Sequence, residues 1–146
     1  MLTNFLLGLS TMVICLLLQT LLLVIAARYY IRNYEATDHS SLISSLVLIN
    51  VVMILLLIGN LGQIAIWALL FKFLGEFAQF DVAFYHSAVN FGSLGYGDIV
   101  MSDEHKLLGA LEAINGVLMI GVSTAALMTT FQNATKKYLA GRGPIR

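Results

Sequence analysis

Six consecutive residues, Ser93-Leu94-Gly95-Tyr96-Gly97-Asp98, have the types and spacing best suited to chemistry in this chain. Glycine at alternate positions opens backbone conformations that are closed to residues with a Cβ. Successive carbonyls can then turn to one side of the loop instead of to opposite sides. A row of such carbonyls, extended by the Ser93 hydroxyl, can replace the water shell of a monovalent cation.

Such a loop needs elements that hold it at a fixed depth, and the composition says what kind. The chain is 59% hydrophobic and only 11% charged, with a single proline in 146 residues, and its mean hydropathy is +0.87. Soluble domains carry about 25% charged residues. A chain this short could not bury so much apolar side chain without losing its polar surface, so lipid must be its solvent. The length allows one domain, and a formal charge of zero argues against nucleic acid as a partner. The one cysteine, Cys15, has no internal disulfide partner and sits in an apolar run, where a packed or lipid-facing thiol is expected.

Residues 4–27 form an apolar run long enough to cross a bilayer, which takes about 20 residues. A cleavable leader is the competing reading of this run, but no Lys or Arg precedes it and it is too long. It also lacks the regularly spaced arginines of a voltage sensor. Residues 28–40 are polar, with Tyr29, Tyr30 and Tyr34 beside Arg28 and Arg32, and the chain is expected to turn there. Residues 41–71 form a second span, with Trp67, Phe71 and Lys72 at its far interface. Asn50, Asn60 and Gln63 interrupt it. Asn60 and Gln63 share a helical face, as do Gly59 and Gly62, so this stripe is expected to face protein and its amides to bond between helices.

Residues 82–91 are apolar and aromatic but too few to span. A short helix followed by glycine-rich loop is tolerated at membrane depth only where protein or a water-filled cavity surrounds it, which describes a re-entrant segment. Asp81 is expected to cap this helix, whose negative end would favour a cation beyond it. Residues 107–131 form a third span. Arg28, Arg32, Lys136, Lys137, Arg142 and Arg146, six of the eight basic residues, then lie on one side of the membrane. The positive-inside rule makes that side cytoplasmic and puts the N-terminus outside. The other side carries Glu76, Asp81, Asp98, Asp103 and Glu104 against Lys72 and Lys106, an acidic vestibule that would concentrate cations.

The loop resembles the selectivity signature of potassium channels, commonly Thr-Val-Gly-Tyr-Gly-Asp. The likeness covers roughly residues 41–132, the plan of the simple two-helix bacterial channels: outer helix 41–71, pore helix 81–92, filter 93–98 and inner helix 106–132. The inner-helix stretch 116–127, with glycines at 116 and 121 and a Thr-Ala-Ala-Leu ending, is similar to that family's pattern. The resemblance implies an all-α membrane protein, with three transmembrane helices and a re-entrant pore loop, that conducts K⁺ passively as a homotetramer. A single loop cannot surround an ion, so four copies around an axis are required. Under this resemblance Ser93, Leu94, Gly95, Tyr96 and Gly97 coordinate the ion, with the Ser93 hydroxyl innermost, and Gly97 and Asp98 shape the outer mouth. Tyr96 points away from the ion, Gly116 is the inner-helix hinge, and Ile120, Thr124 and Met128 line the cavity and inner opening. Helical spacing independently puts those three on one stripe.

Four features depart from the family pattern: Ser93 for threonine, Leu94 for valine, Gly92 where a hydroxyl residue is usual, and no proline after Asp98. The first helix, residues 1–40, lies outside the two-helix plan. The implied location is the plasma membrane, as in a bacterial inner membrane, with K⁺ as permeant ion and no cofactor. The basic tail, residues 136–146, suits anionic lipid.

Glu112 stands near the outer end of the third span, where a charge needs a partner or water. His86 and Asn90, four apart on the short helix, are candidate partners, and the contact would support the filter. A carboxylate reaching outer water is the alternative. His86 is also a candidate pH-sensitive group, with a packed histidine as the plainer reading. His39 and His105 fall in loops. No constellation of an enzyme appears: the three histidines lack metal-ligand spacing, and no Ser/Cys–His pairing or phosphate loop is present. Two rival functions remain open at this point, a weakly selective monovalent cation channel and a non-conducting membrane interaction subunit that keeps the pore fold.

Overall fold

A computed structural model describes residues 1–36 and 42–141, and the regular structure among the described residues is helical with no strand. Helix α1 spans Leu2–Ala36, α2 Leu42–Phe73, α3 Phe80–Phe91 and α4 Lys106–Gly141. Three of these, α1, α2 and α4, contain segments of 31 or 32 residues long and apolar enough to cross a membrane. At 1.5 Å per residue the 12 residues of α3 reach only about 18 Å, short of a hydrocarbon core of about 30 Å. Helix is what an apolar run must form in lipid, because every backbone N–H and C=O is then satisfied within its own segment.

The helices run further than the composition suggests. The turn expected within residues 28–40 does not begin at Arg28, because α1 continues to Ala36. Residues 28–36 contain no glycine or proline to stop it. Helix α4 likewise passes residue 132 and carries Lys136 before ending at Gly141. His39, Arg142 and Arg146, with the expectations attached to them, lie outside the described residues.

Helix α1 packs on α2 and α4, and α3 is wedged between α2 and α4. At one end the Asn4 amide donates to the Glu104 carbonyl, and Gly8 lets α1 close on Leu108 and Leu111 of α4. At the other end Ala26, Val52 and Leu56 pack with Tyr30, Ala126 and Leu127. α1 and α4 therefore run parallel, with α2 antiparallel to both. The larger cluster surrounds α3 and includes Trp67, Phe71, Phe77, Phe91, Leu108 and Met119. Cys15 is fully buried in it, which settles its packing in favour of protein over lipid.

Amides hold α1 in place. Gln63 Nε2 donates to Gln19 Oε1 at 2.7 Å, Gln19 Nε2 donates to Ser123 Oγ at 2.9 Å, and Ser123 Oγ reaches Asn60 Oδ1 at 3.4 Å. The stripe of Gly59, Asn60, Gly62 and Gln63 thus faces protein as its pattern predicts, with Leu22 and Leu18 of α1 against the glycines. Asn50 behaves differently and bonds the Leu46 carbonyl of its own helix.

Candidate functional site

The position of the 93–98 loop is set by how α3 begins and ends. Gln79 is the N-cap residue, extended and without a side-chain cap bond, and Asp81 lies inside the first turn. The expectation of Asp81 as the cap is therefore corrected by two positions. Its carboxylate remains among the first N–H groups, where negative charge is favoured. At the other end the Ser93 N–H donates to Asn90 O at 2.8 Å and the Leu94 N–H to Val89 O at 2.9 Å. This pair of bonds is the Schellman arrangement, which needs a left-handed residue at its first position beyond the cap. Helix α2 ends the same way, with Gly75 at φ +78° in that position and bonds from Gly75 to Lys72 and from Glu76 to Phe71. In α3 the position is filled by Ser93, at φ +55°.

Left-handed φ then recurs at every second residue, +60° at Gly95 and +71° at Gly97. Alternating hand is the backbone pattern that aligns successive peptide units, N–H groups to one side and carbonyls to the other. A Cβ at Gly95 or Gly97 would meet no atom within 4 Å in the chain, so backbone conformation and not space demands glycine there. Leu94 and Tyr96 are 55% and 65% exposed, so a single chain leaves both apolar faces of the loop uncovered.

Beyond the loop, the Tyr85 hydroxyl donates to Asp98 Oδ2 at 2.7 Å, and Asp98 Oδ1 accepts the Ile99 N–H at 3.1 Å. The Tyr85 bond, helped by Ile99, holds the Asp98 carboxyl below its ordinary range. One turn of α3 fixes the next residue as well: His86 Nδ1 pairs with Ile99 O at 3.0 Å, and Asn90 Nδ2 lies 2.8 Å from His86 Nε2. With the Asn90 amide donating to Nε2, Nδ1 is left to donate to the Ile99 carbonyl, the arrangement of a neutral imidazole protonated on Nδ1. His86 also packs on Phe77, ring centroids 4.9 Å apart.

Glu112 does meet α3, but through Ser87 and not through His86. Ser87 Oγ hydrogen-bonds Glu112 Oε1 and lies 2.9 Å from Ile64 O of α2. Glu112 is fully buried, so its carboxyl does not reach outer water, and Oε2 has no partner among the described residues. Next to it Asn115 is also fully buried, with neither amide atom partnered among them. Gly116 follows. A Cβ there would stand 2.0 Å from the Phe91 carbonyl oxygen, so glycine permits the C-terminus of α3 to rest on α4. The close approach gives Gly116 a packing reason to be glycine that is separate from any hinge. At Gly121 a Cβ would meet nothing within 4 Å.

One carboxylate joins the segments on either side of α3. Glu76 accepts the Ser102 N–H at 2.8 Å and the Ser102 hydroxyl at 2.6 Å, and His105 Nδ1 lies 2.5 Å from Oε1. Burial would raise the Glu76 carboxyl, but the Ser102 and His105 bonds outweigh it and hold the group below its ordinary range. The loop residue His105 thereby gains a defined partner. The neighbouring pair of Lys106 and Asp103 is exposed, at 2.9 Å, and contributes little.

Ile120, Thr124 and Met128 lie together on an exposed stripe of α4, where the Thr124 hydroxyl is turned back to Ile120 O at 2.9 Å. Five contacts are not legible in the sequence: Tyr85 to Asp98, Ser87 to Glu112, Ser102 to Glu76, and Gln19 to both Gln63 and Ser123. Glu112 and Gln19 carry a signal, since a polar group inside an apolar span must find a partner in protein. Among the described residues no group of three His, Cys, Asp or Glu could hold a metal ion.

None of the curated proteins and none of the solved structures compared with the chain matches it. A family model described as "Ion channel" matches residues 55–133, from the middle of α2 through α3 and the glycine-rich loop to the far part of α4. With more than half of its length in that match, and three helices able to cross a membrane, the chain is an integral membrane protein that belongs to this ion-channel family of potassium-channel-like pore domains.

Proposed function

We propose that the chain is the subunit of a homotetrameric channel that conducts K⁺ passively through a filter formed by residues 93–98 of four copies. The observation that carries this reading is the alternation of left-handed φ at Ser93, Gly95 and Gly97 within Ser-Leu-Gly-Tyr-Gly-Asp. Carbonyls aligned by that alternation from Ser93, Leu94, Gly95, Tyr96 and Gly97 coordinate the ion, with Asp98 at the outer mouth. Neighbouring copies cover the exposed Leu94 and Tyr96, and α3 enters the membrane without crossing it. The pore-forming part is residues 41–135, α1 is an added helix, and the basic tail meets the cytoplasmic leaflet and its anionic lipids.

The charge distribution supports one orientation. Arg28, Arg32 and Lys136 project at one end of the bundle and face the cytoplasm, and the acidic loops around α3 face outward, with the N-terminus. Ile120, Thr124 and Met128 line the inner path, and Gly116 is the hinge of α4. Glu112, held by Ser87, supports α3 from behind. If Glu112→Gln leaves selectivity, conductance and tetramer stability unchanged, that support role is wrong.

A weakly selective cation channel is favoured over strict selectivity by one feature: the Ser93 hydroxyl lacks the methyl group that would restrict its rotamer. Flux assays on reconstituted liposomes decide among the readings. A K⁺ current blocked by barium, with a reversal potential that follows the K⁺ gradient against Na⁺, is the expected result. A reversal potential near zero under that gradient points to weak selectivity. Tetramers that pass neither ion point to a non-conducting interaction subunit.

A further inference from the structure

Helix α1 lies outside the two-helix pore plan, and its buried side chains assign it a task. Gln19 sits near the middle of the span Leu2–Asn33 and is 2% exposed. Its amide is used at both ends, as acceptor from Gln63 of α2 and as donor to Ser123 of α4. Ser123 continues to Asn60, one turn from Gln63 on α2, so the donors run from α2 through α1 and α4 back to α2. In hydrocarbon no water can replace a bond that is broken, so the circuit resists relative movement of the three helices.

Two points on α4 are thereby anchored. Gly116 rests on the Phe91 carbonyl of α3, and Ser123 is held by Gln19. Gly121 lies between them with open space at its Cα, and Thr124 and Met128 of the exposed stripe follow directly after Ser123. Movement of the second half of α4 away from α1 stretches the Gln19–Ser123 bond, which spans the two helices.

We propose that Gln19 is a positioning residue that sets the conformational equilibrium of α4, so that α1 is a brace inside the membrane whose bond to Ser123 must break before the inner path widens. The proposal rests on the channel reading above. It says which residue governs opening, whereas the loop says what passes.

The test is single-channel recording from the reconstituted full chain in five forms: wild type, Gln19→Leu, Ser123→Ala, Ser123→Thr, and the double variant Gln19→Leu/Ser123→Ala. Both single variants lose the Gln19–Ser123 bond, Gln19→Leu together with the bond to Gln63 and Ser123→Ala together with that to Asn60, and each is expected to raise the ratio of open to closed time at least about fivefold. The double variant should fall short of the product of the two single effects, because both singles already lack the shared Gln19–Ser123 bond. Ser123→Thr keeps the hydroxyl and should restore wild-type gating. Unitary conductance and reversal potential should be unchanged throughout, which a general loss of structure would not allow. Wild-type open probability in Gln19→Leu, or additive effects in the double variant, would overturn the brace. A wild-type protein that passes no cation would overturn the channel reading instead. The coupling of Gln19 and Ser123 is then read from thermal unfolding of the same variants, where additivity again counts against it.

Discussion

The Tyr85 hydroxyl donates to Asp98 across 2.7 Å and ties the middle of α3 to the end of the loop that follows it, 13 residues along the chain. The same helix supports the loop at its start, through the Ser93 and Leu94 N–H bonds to Asn90 and Val89. A twelve-residue helix thus holds both ends of a six-residue loop whose middle is glycine-rich.

Removing the Tyr85 hydroxyl releases the outer end. Tyr85→Phe keeps the ring and loses the bond, so the Asp98 carboxyl should return toward its ordinary range and the loop should hold its shape less well. Reversal potentials in K⁺/Na⁺ gradients should then show greater Na⁺ passage, and the wild-type ratio in Tyr85→Phe would refute this.

At the inner end the two roles of Ser93 can be separated. Left-handed φ costs a residue with a Cβ about 1–2 kcal/mol relative to glycine. Ser93→Gly should therefore be more stable than Ser93→Ala by about 1 kcal/mol, although both lose the hydroxyl. Thermal unfolding reports the difference in stability, and flux reports the shared loss of the innermost ligand. Equal stability of the two variants would mean that Ser93 is not held at positive φ.

Glycines 116 and 121 should respond in opposite directions. Gly116→Ala places a methyl group 2.0 Å from backbone oxygen, which no rotamer change relieves. Overpacking of this kind costs about 1–3 kcal/mol. Gly121→Ala has room in the chain and gains helix propensity of up to about 1 kcal/mol. Unfolding temperatures in one detergent should fall for the first and hold or rise for the second.

The Glu76 clasp predicts a pH dependence. Its carboxyl is depressed in the folded chain, so its stabilising contribution is complete above the ordinary carboxylate range, near pH 4, and is lost as pH falls through the lower folded value. Wild type should exceed Glu76→Gln in unfolding temperature at pH 7, and the gap should close progressively below about pH 4. A gap that stays constant down to pH 3 would show that the charge of Glu76 contributes nothing.

Much of this architecture is written in local pattern. Apolar runs of spanning length, one short aromatic segment and alternate glycines fix three long helices, one short helix and an irregular loop, because lipid leaves the backbone few alternatives. The paired faces of Asn60 with Gln63 and Gly59 with Gly62 even mark which side of α2 meets protein. What pattern alone leaves open is which residues meet across helices. Glu112 has Ser87, His86 and Asn90 within one stretch of α3, and only the rotation of α3 against α4 brings Ser87 into hydrogen-bond contact with it. Gly116 and Gly121 look alike in sequence, and the Phe91 carbonyl alone makes one a contact and leaves the other free. Gln19 is a single amide among leucines until folding brings Gln63 and Ser123 to either side of it. Helical period and hydropathy are properties of neighbours in the chain, whereas these contacts join residues 25 to 104 positions apart and exist only once the helices have packed.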